Sequence, residues 1–157
     1  MSSTKFSSLP LSPQLISNVE SLGYEQLTPI QAQALPHILQ GDDLIAKAKT
    51  GSGKTAAFGL GILQRLEVKN WYVQTLVLCP TRELADQVSK AIRQLARTTH
   101  NIKVLTLCGG MSIGPQIGSL KHGAHIVVGT PGRIDDLLRK GHLDIDRATQ
   151  LVLDEAD

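Results

Sequence analysis

The chain has 157 residues, of which 41% are hydrophobic, and this length and composition fit one globular domain with a buried core. No apolar run approaches the roughly 20 residues that span a bilayer, and no apolar signal region follows Met1, so we expect a cytoplasmic protein. The net charge of +2 does not by itself indicate a nucleic-acid partner. Cys79 and Cys108 lack metal-type spacing and each ends an apolar run, which predicts buried free thiols.

Two helices are predicted in the first 41 residues. Ser12 can cap the first helix, Pro13 suits its first turn and Gly23 can end it. The second helix begins at Thr28-Pro29 and runs towards Gly41.

Gln31 has two possible roles in the second helix. Its spacing from Thr28 is that of a capping box, in which the glutamine side chain bonds back to the threonine N–H. The same amide could instead pair with N6 and N7 of adenine. The spacing favours the capping box and leaves adenine recognition open.

The stretch from Ala48 to Thr55 has the features of a phosphate-binding loop. A strand predicted at 43–48 precedes it, and a predicted helix begins at Thr55. The glycines let the backbone curl and point its N–H groups inward, Lys54 supplies charge for the outer phosphates, and the Thr55 hydroxyl can bind Mg²⁺. The alternative is a glycine turn with an incidental lysine, and Ala48 departs from the glycine that opens the strict pattern. The predicted nucleotide-binding loop comprises Ala48, Lys49, Thr50, Gly51, Ser52, Gly53, Lys54 and Thr55.

Beyond this loop, strand-like runs alternate with helical runs, the clearest helix being 82–96. The alternation and the continuous apolar strands predict an α/β fold, a mainly parallel sheet with helices on both faces. Ligands bind beyond the carboxyl ends of such strands, so the loops after all five strands are expected at one edge. The later strands are predicted at 75–79, 103–107, 125–129 and 149–154.

Two of these loops carry groups that suit an anion. Thr81-Arg82 and the segment 130–133 each place a threonine at a predicted helix start and an arginine in the first turn, where it opposes the helix dipole. Two such arginines at one edge indicate an anion between them, and nucleic-acid phosphates fit. The alternative is two solvated surface arginines. The loop after the strand predicted at 103–107 contains Gly109-Gly110.

Asp154 and Glu155 follow the last predicted strand. A carboxylate at Asp154, across from Thr55, is placed to hold Mg²⁺ through water, and Glu155 could orient or deprotonate an attacking water. The alternative is a pair of exposed, idle acids.

Together and in this order, the motifs resemble the first RecA-like domain of a DEAD-box RNA helicase. They are Tyr24 to Gln31, the phosphate loop, Pro-Thr-Arg-Glu-Leu-Ala at 80–85, Gly109-Gly110, Thr-Pro-Gly-Arg at 130–133 and Asp-Glu-Ala-Asp at 154–157. The resemblance covers about residues 6–157. It implies a RecA-like P-loop NTPase domain over 1–157, with a Q-motif region at about 4–32 and an apparent truncation after the last motif.

The resemblance also implies roles for individual residues. Gln31 would read adenine, with Tyr24 packing near the base and Phe6 as the upstream aromatic, although Leu27 replaces the usual proline. Ala48 matches the family's own form of the loop. The implied catalytic residues are Lys54, Asp154 and Glu155, the implied Mg²⁺ ligands are Thr55 and Asp154, and the implied RNA-binding residues are Thr81, Arg82, Gly109, Gly110, Thr130 and Arg133.

The implied function is ATP binding in an ATP-dependent RNA helicase that couples hydrolysis to RNA binding and local duplex unwinding. The stretches 48–61 and 78–88 are also similar to bacterial ribosomal-RNA helicases, which implies ribosomal RNA as the partner and a role in large-subunit assembly. The family continues with a second RecA-like domain, the intramolecular partner that completes both sites. We therefore expect this chain alone to bind adenine nucleotide weakly and to be nearly inactive. The rival readings are a non-catalytic nucleic-acid scaffold with a vestigial nucleotide site, and an unrelated P-loop kinase or GTPase.

Overall fold

The structure, a computed structural model that describes residues 5–99 and 101–155, alternates helices with short strands. A 3₁₀ turn at Phe6–Ser8 is followed by α1 (Pro13–Ser21), α2 (Pro29–Gln40), α3 (Lys54–Arg65), β1 (Thr75–Leu78), α4 (Arg82–Leu95), β2 (Val104–Leu107), α5 (Ile113–Lys121), β3 (Ile126–Gly129), α6 (Pro131–Arg139) and β4 (Gln150–Leu153). The predicted α/β alternation is confirmed, and each of these four strands is one residue shorter than predicted at one or both ends.

The four strands form one parallel sheet in the order β2-β3-β1-β4. Thr75 pairs with Ile126 of β3 and with Gln150 of β4, and Val104 of β2 also pairs with Ile126. Every residue of β3 is buried, and so are the first three of β1. This burial explains why these two strands are continuously apolar in sequence.

The prediction of a strand at 43–48 is wrong. The sheet therefore has four strands where five were expected. Residues 42–49 have no regular secondary structure, and Ile45 is 91% exposed. A strand forms only where a neighbour can bond its N–H and C=O groups, and none of the described strands pairs with this segment. The apolar run Leu44-Ile45-Ala46 was therefore not sufficient evidence for a strand.

The chain divides into two compact units, and the boundary between them falls inside α4. The first unit contains residues 1–65 and 91–100, and the second contains residues 66–90 and 101–157. In the first unit, Ser12 caps α1 by accepting a hydrogen bond from the Leu15 N–H at 3.3 Å, as predicted. Helices α2 and α3 pack so closely that a Cβ on Gly61 would overlap the Ile38 side chain. This contact fixes the second half of α3 against α2.

In the second unit, α5, α6 and the strands enclose an apolar core. His125 is fully buried beside it; its Nδ1 accepts from the Lys103 N–H at 3.0 Å and its Nε2 donates to the Val68 carbonyl at 2.9 Å. This histidine is therefore a satisfied structural residue. The core residues are Val73, Leu76, Leu105, Leu107, Ala124, Val127, Ile134, Leu137 and Leu143.

Cys79 and Cys108 are free and buried, as predicted. Within the described ranges, none of the helices has the length and apolar character needed to cross a membrane.

Candidate functional site

The predicted phosphate loop lies in the first unit, at the start of α3. Gly51 and Gly53 both have positive φ angles, +82° and +92°, which residues with a Cβ adopt only under strain. The loop is closed by a hydrogen bond from the Ser52 N–H to the Lys49 carbonyl at 3.2 Å. Lys54 begins α3, so both it and Thr55 lie in the first turn of a 12-residue helix whose dipole favours an anion.

The loop also contains a buried polar atom without a partner. The Ser52 hydroxyl oxygen makes no hydrogen bond to the described part of the chain, although it is shielded from solvent. Buried polar groups normally have a hydrogen-bond partner. A buried hydroxyl without one at a helix start therefore indicates a ligand that can form the missing hydrogen bond. A nucleotide phosphate fits this position because it accepts hydrogen bonds from hydroxyl and N–H groups and pairs with Lys54.

Gln31 makes the predicted capping box and a further contact. The Gln31 side-chain Oε1 accepts from the Thr28 N–H at 2.9 Å, and the Gln31 backbone N–H donates to the Thr28 hydroxyl at 3.4 Å. Its Nε2 donates to the Gly53 carbonyl at 3.1 Å. The amide that was predicted to read adenine therefore connects the start of α2 to the phosphate loop in this structure.

Phe6 and Tyr24 lie together, with ring centroids 6.2 Å apart and an interplanar angle of 28°. Phe6 is 1% exposed whereas Tyr24 is 44% exposed. Phe6 therefore supports the tyrosine ring, and only Tyr24 presents a face that a base could pack against.

In the second unit, the predicted RNA-binding residues meet around the loop that follows β2. A Cβ on Gly110 would lie 3.8 Å from Arg82 Nη1, so the guanidinium lies over this glycine. Thr81 caps α4 as predicted, because its hydroxyl accepts from the Leu84 N–H at 3.2 Å. The ends of β1 and β2 thus bring an arginine and a glycine loop together.

Thr130 differs from the prediction. It occupies the N-cap position of α6, but its side chain makes no capping bond. Instead its hydroxyl accepts from the Gly109 N–H at 3.1 Å. The hydroxyl therefore ties the glycine loop to α6, and the first N–H groups of α6 receive no side-chain cap.

Arg133 is not a solvated surface arginine, so that alternative is wrong for this residue. Its Nη1 donates to Gln116 Oε1 at 2.9 Å and its Nη2 donates to the Met111 carbonyl at 3.0 Å. The guanidinium therefore links α6 to α5 and to the glycine loop.

The cysteines at this edge are chemically quiet. The pKa of the Cys79 thiol is raised to about 12, mainly by burial and to a smaller extent by the nearby Asp154 carboxylate. Cys108 lines a cavity of about 470 Å³, and burial, followed by Asp86, raises the pKa of its thiol as well. Because the thiolate is the nucleophile, neither cysteine is suited to covalent chemistry.

Asp154 and Glu155 follow β4, where the Asp154 N–H donates to the Leu78 carbonyl at 3.0 Å. Glu155 has a φ of +54°, a left-handed conformation that is uncommon outside glycine and is found at functional sites. Among the described residues, no three or more His, Cys, Asp or Glu side chains are grouped to hold a metal ion.

Sequence reasoning missed Gln116, which is buried and carries two of the contacts at the glycine loop. A signal was present, because Gln116 lies on the helix face formed by Ile113, Ile117 and Leu120. A polar side chain on an apolar face requires hydrogen-bond partners inside the protein.

Comparison with known proteins agrees with this geometry. The profile of the DEAD/DEAH box helicase family matches residues 28–157. The chain is 56% identical to the ATP-dependent RNA helicase DbpA of Escherichia coli over 98% of its own length and 34% of the relative. It is 46% identical to the DEAD-box ATP-dependent RNA helicase CshA of Bacillus cereus, over 98% of this chain and 29% of the relative. The chain thus spans about a third of the length of these curated relatives.

A crystal structure of a DEAD box protein from the hyperthermophile Methanococcus jannaschii superposes with a TM-score of 0.93 and 39% identity, covering 98% of this chain and 42% of that one. The parallel sheet, the phosphate loop and the profile match agree with one another. The chain therefore belongs to the DEAD/DEAH box helicase family and has the fold of its RecA-like domain.

Proposed function

We propose that this chain is the nucleotide-binding RecA-like domain of an ATP-dependent RNA helicase and that it binds ATP with Mg²⁺ at the phosphate loop. The observation that carries the proposal is the Ser52 hydroxyl at the start of α3, which is buried and has no partner among the described residues, in a loop whose glycines have positive φ angles. A phosphate group accepts hydrogen bonds, so it binds well at a helix start where donors lack acceptors. The family membership supplies the choice of ATP.

The residues that would hold the nucleotide are those of the loop. Lys54 would pair with the outer phosphates, and the Thr55 hydroxyl would bind Mg²⁺. The remaining loop members, Ala48, Lys49, Thr50, Gly51, Ser52 and Gly53, would contribute backbone N–H groups and the serine hydroxyl. Bound ATP supplies the phosphoanhydride bond whose hydrolysis the helicase uses.

Gln31 is proposed to read adenine, with Tyr24 packing against the base and Phe6 supporting that ring. In the structure both polar atoms of the Gln31 amide are already bonded, to Thr28 and to Gly53. The amide keeps a second N–H and a second lone pair, so adenine could pair with it while both of these bonds remain. Gln31 would then contact the base and the phosphate loop at the same time.

For the chemical step we propose Asp154 as a Mg²⁺ ligand through water and Glu155 as the group that orients or deprotonates the attacking water, as the family resemblance implies. In the complete protein, Glu155→Gln is expected to keep ATP binding and to abolish hydrolysis. Steady-state ATPase assays test this expectation, and turnover equal to that of the unsubstituted protein would remove Glu155 from the mechanism.

RNA is proposed to bind along the glycine-loop edge of the second unit, formed by Thr81, Arg82, Gly109, Gly110, Thr130 and Arg133. Backbone N–H groups, hydroxyls and arginines are the groups that contact nucleic-acid phosphates without reading sequence. Similarity in the stretches 48–61 and 78–88 supports ribosomal RNA as the target and large-subunit assembly as the process, and the cytoplasm is the proposed location. A second RecA-like domain would complete both sites, so this chain alone is expected to show almost no RNA-stimulated ATPase or unwinding activity.

The test is a titration of this chain with fluorescent ADP and GDP in the presence of Mg²⁺. The chain, Gln31→Ala and the control Gln33→Ala would be compared, since Gln33 is exposed on the same helix. We expect a preference for ADP that Gln31→Ala reduces and Gln33→Ala retains. Circular dichroism would confirm that each variant is folded.

Other outcomes separate the alternatives. Equal binding of ADP and GDP would leave the phosphate loop in place and return Gln31 to helix capping alone. A folded chain that binds RNA but neither nucleotide would support the non-catalytic scaffold. Binding of GDP in preference to ADP would refute the helicase assignment of this site.

A further inference from the structure

We propose that Gln116 is a positioning residue for RNA binding: it holds the Arg133 guanidinium in the orientation in which it meets an RNA phosphate. The inference rests on the proposed RNA-binding edge. It adds a residue that belongs to none of the motifs on which the family resemblance depends.

The amide of Gln116 has only one orientation that satisfies its neighbours. Nε2 donates to the Cys108 carbonyl at 3.1 Å, and Oε1 accepts from Arg133 Nη1 at 2.9 Å. A carbonyl can only accept and a guanidinium can only donate, so rotating the amide by half a turn would break both bonds. The end of β2 therefore fixes Gln116, and Gln116 in turn fixes Arg133.

Arg133 keeps donors free while it is held. The bonds to Gln116 and to the Met111 carbonyl use one N–H on each Nη atom. A guanidinium has five N–H groups, so three remain for a phosphate. Ordering a mobile arginine during binding costs conformational entropy, and an arginine that is already held avoids much of that cost.

The choice of a neutral acceptor matters. A carboxylate at position 116 would also accept from Arg133, but it would pair with the charge and compete with phosphate. An amide oxygen fixes the guanidinium and leaves its full positive charge for RNA. The acids on α6 have partners on their own helix: Asp135 pairs with Arg139 at 3.0 Å and Asp136 with Lys140 at 3.2 Å.

Burial of Gln116 supports a role beyond solubility. The side chain is 9% exposed and shares a helix face with apolar residues, where an aliphatic side chain would pack without needing partners. A buried amide is tolerated only when its polar atoms are bonded, and here both are.

The experiment measures binding of a fluorescein-labelled single-stranded RNA of roughly 12 nucleotides by anisotropy at several salt concentrations. The variants are Gln116→Met, which keeps length and volume without hydrogen bonding, Arg133→Met, and the double variant. Gln87→Met is the control, since Gln87 is an exposed glutamine of the same unit. Circular dichroism and thermal unfolding are recorded for each.

We expect Gln116→Met to weaken RNA binding about threefold to tenfold, less than the loss of a whole hydrogen bond to a charged group, because Arg133 keeps its bond to the Met111 carbonyl. The slope of log Kd against log salt should fall by up to about 0.7, the value for one phosphate contact on a single strand. In the Arg133→Met background the same substitution should change Kd by less than about twofold, because Gln116 acts through Arg133. Gln87→Met should bind as the unsubstituted chain does.

Three results would overturn the proposal. They are unchanged affinity in Gln116→Met, a loss that adds in full to that of Arg133→Met, and a lowered thermal midpoint with an unchanged salt slope, which is the signature of a purely structural role. If Gln116→Met does not fold, Gln116→Glu keeps the side-chain length and should weaken RNA binding by pairing with Arg133; unchanged binding there would equally overturn it. An unsubstituted chain that binds no RNA would refute the proposed edge itself, and this inference with it.

Discussion

The phosphate loop of the first unit and the glycine loop of the second are both expected to bind phosphate, yet their polar side chains differ in whether they have hydrogen-bond partners. In the first, the Ser52 hydroxyl is buried without a partner in the described part of the chain, and residues 42–49 have no regular structure. In the second, Thr130 and Arg133 are already bonded to the loop at Gly109 and Met111. One loop lacks partners that a ligand can supply, whereas the other is assembled in advance.

This difference follows from what each loop must recognise. A nucleotide is a compact ligand that can satisfy many donors at once, so a loop that is incomplete without it gains most of its order from binding. An RNA backbone offers one phosphate per nucleotide, and each contact contributes little unless the protein groups are held beforehand. We therefore expect large effects from substitutions in the first loop and small ones in the second.

The largest effect is expected for Lys54→Ala. Removing the charge for the outer phosphates should weaken binding of ADP with Mg²⁺ about 10-fold to 100-fold, because hydrogen bonds to charged groups contribute about 1.5–3 kcal/mol. Titration with fluorescent ADP measures this, and Lys47→Ala is the control because Lys47 is exposed just before the loop. Equal weakening by both substitutions would indicate a general charge effect and would remove the special role of Lys54.

Gly53→Ala tests whether the first loop is held by Gln31. A Cβ at this position would overlap Gln31 Nε2, and the φ of +92° is strained for alanine. We expect the free energy of unfolding to fall by about 1–3 kcal/mol, measured by urea denaturation. Gly114→Ala is the control, since it lies in α5 with open space around it and no positive φ. If Gly53→Ala is as stable as Gly114→Ala, the contact with Gln31 carries no weight.

The two regions also differ in how far the sequence predicted them. β1 and β3 were identified because strands buried on both faces are continuously apolar, and the phosphate loop because its spacing is specific. The segment 43–48 was misassigned because pairing depends on a neighbouring strand, which a local pattern does not reveal. The roles of Thr130 and Gln116 depend on contacts between distant parts of the chain, 21 residues apart for Thr130 and Gly109. Helix-start spacing pointed to capping, and only the fold shows the hydroxyl bonded elsewhere.

The buried thiol of Cys79, which follows β1 in the second unit, leads to a prediction about pH. Burial and Asp154 raise the pKa of Cys79 to about 12 from its ordinary value of 9.0. Between these values the unfolded chain loses the proton while the folded chain keeps it, so stability falls as pH rises above 9.0. Between pH 8 and pH 10 the free energy of unfolding, measured with urea, should fall by about 1.4 kcal/mol more for the unsubstituted chain than for Cys79→Ala. Equal losses would mean that this thiol is open to solvent.

The smallest effect is expected for Thr130→Val, which removes the acceptor for the Gly109 N–H and keeps the side-chain shape. Losing one neutral hydrogen bond at a half-buried position should lower the free energy of unfolding by about 0.5–1.5 kcal/mol and weaken single-stranded RNA binding about twofold to fivefold. Thr130→Ser keeps the hydroxyl and should restore both values, as measured by urea denaturation and RNA anisotropy. If valine weakened RNA binding as strongly as Lys54→Ala weakens nucleotide binding, the second loop would not be assembled in advance. The contrast between the two regions would then fail, because most of the contribution of the Thr130 hydroxyl would come from its contact with RNA and little from holding the loop at Gly109.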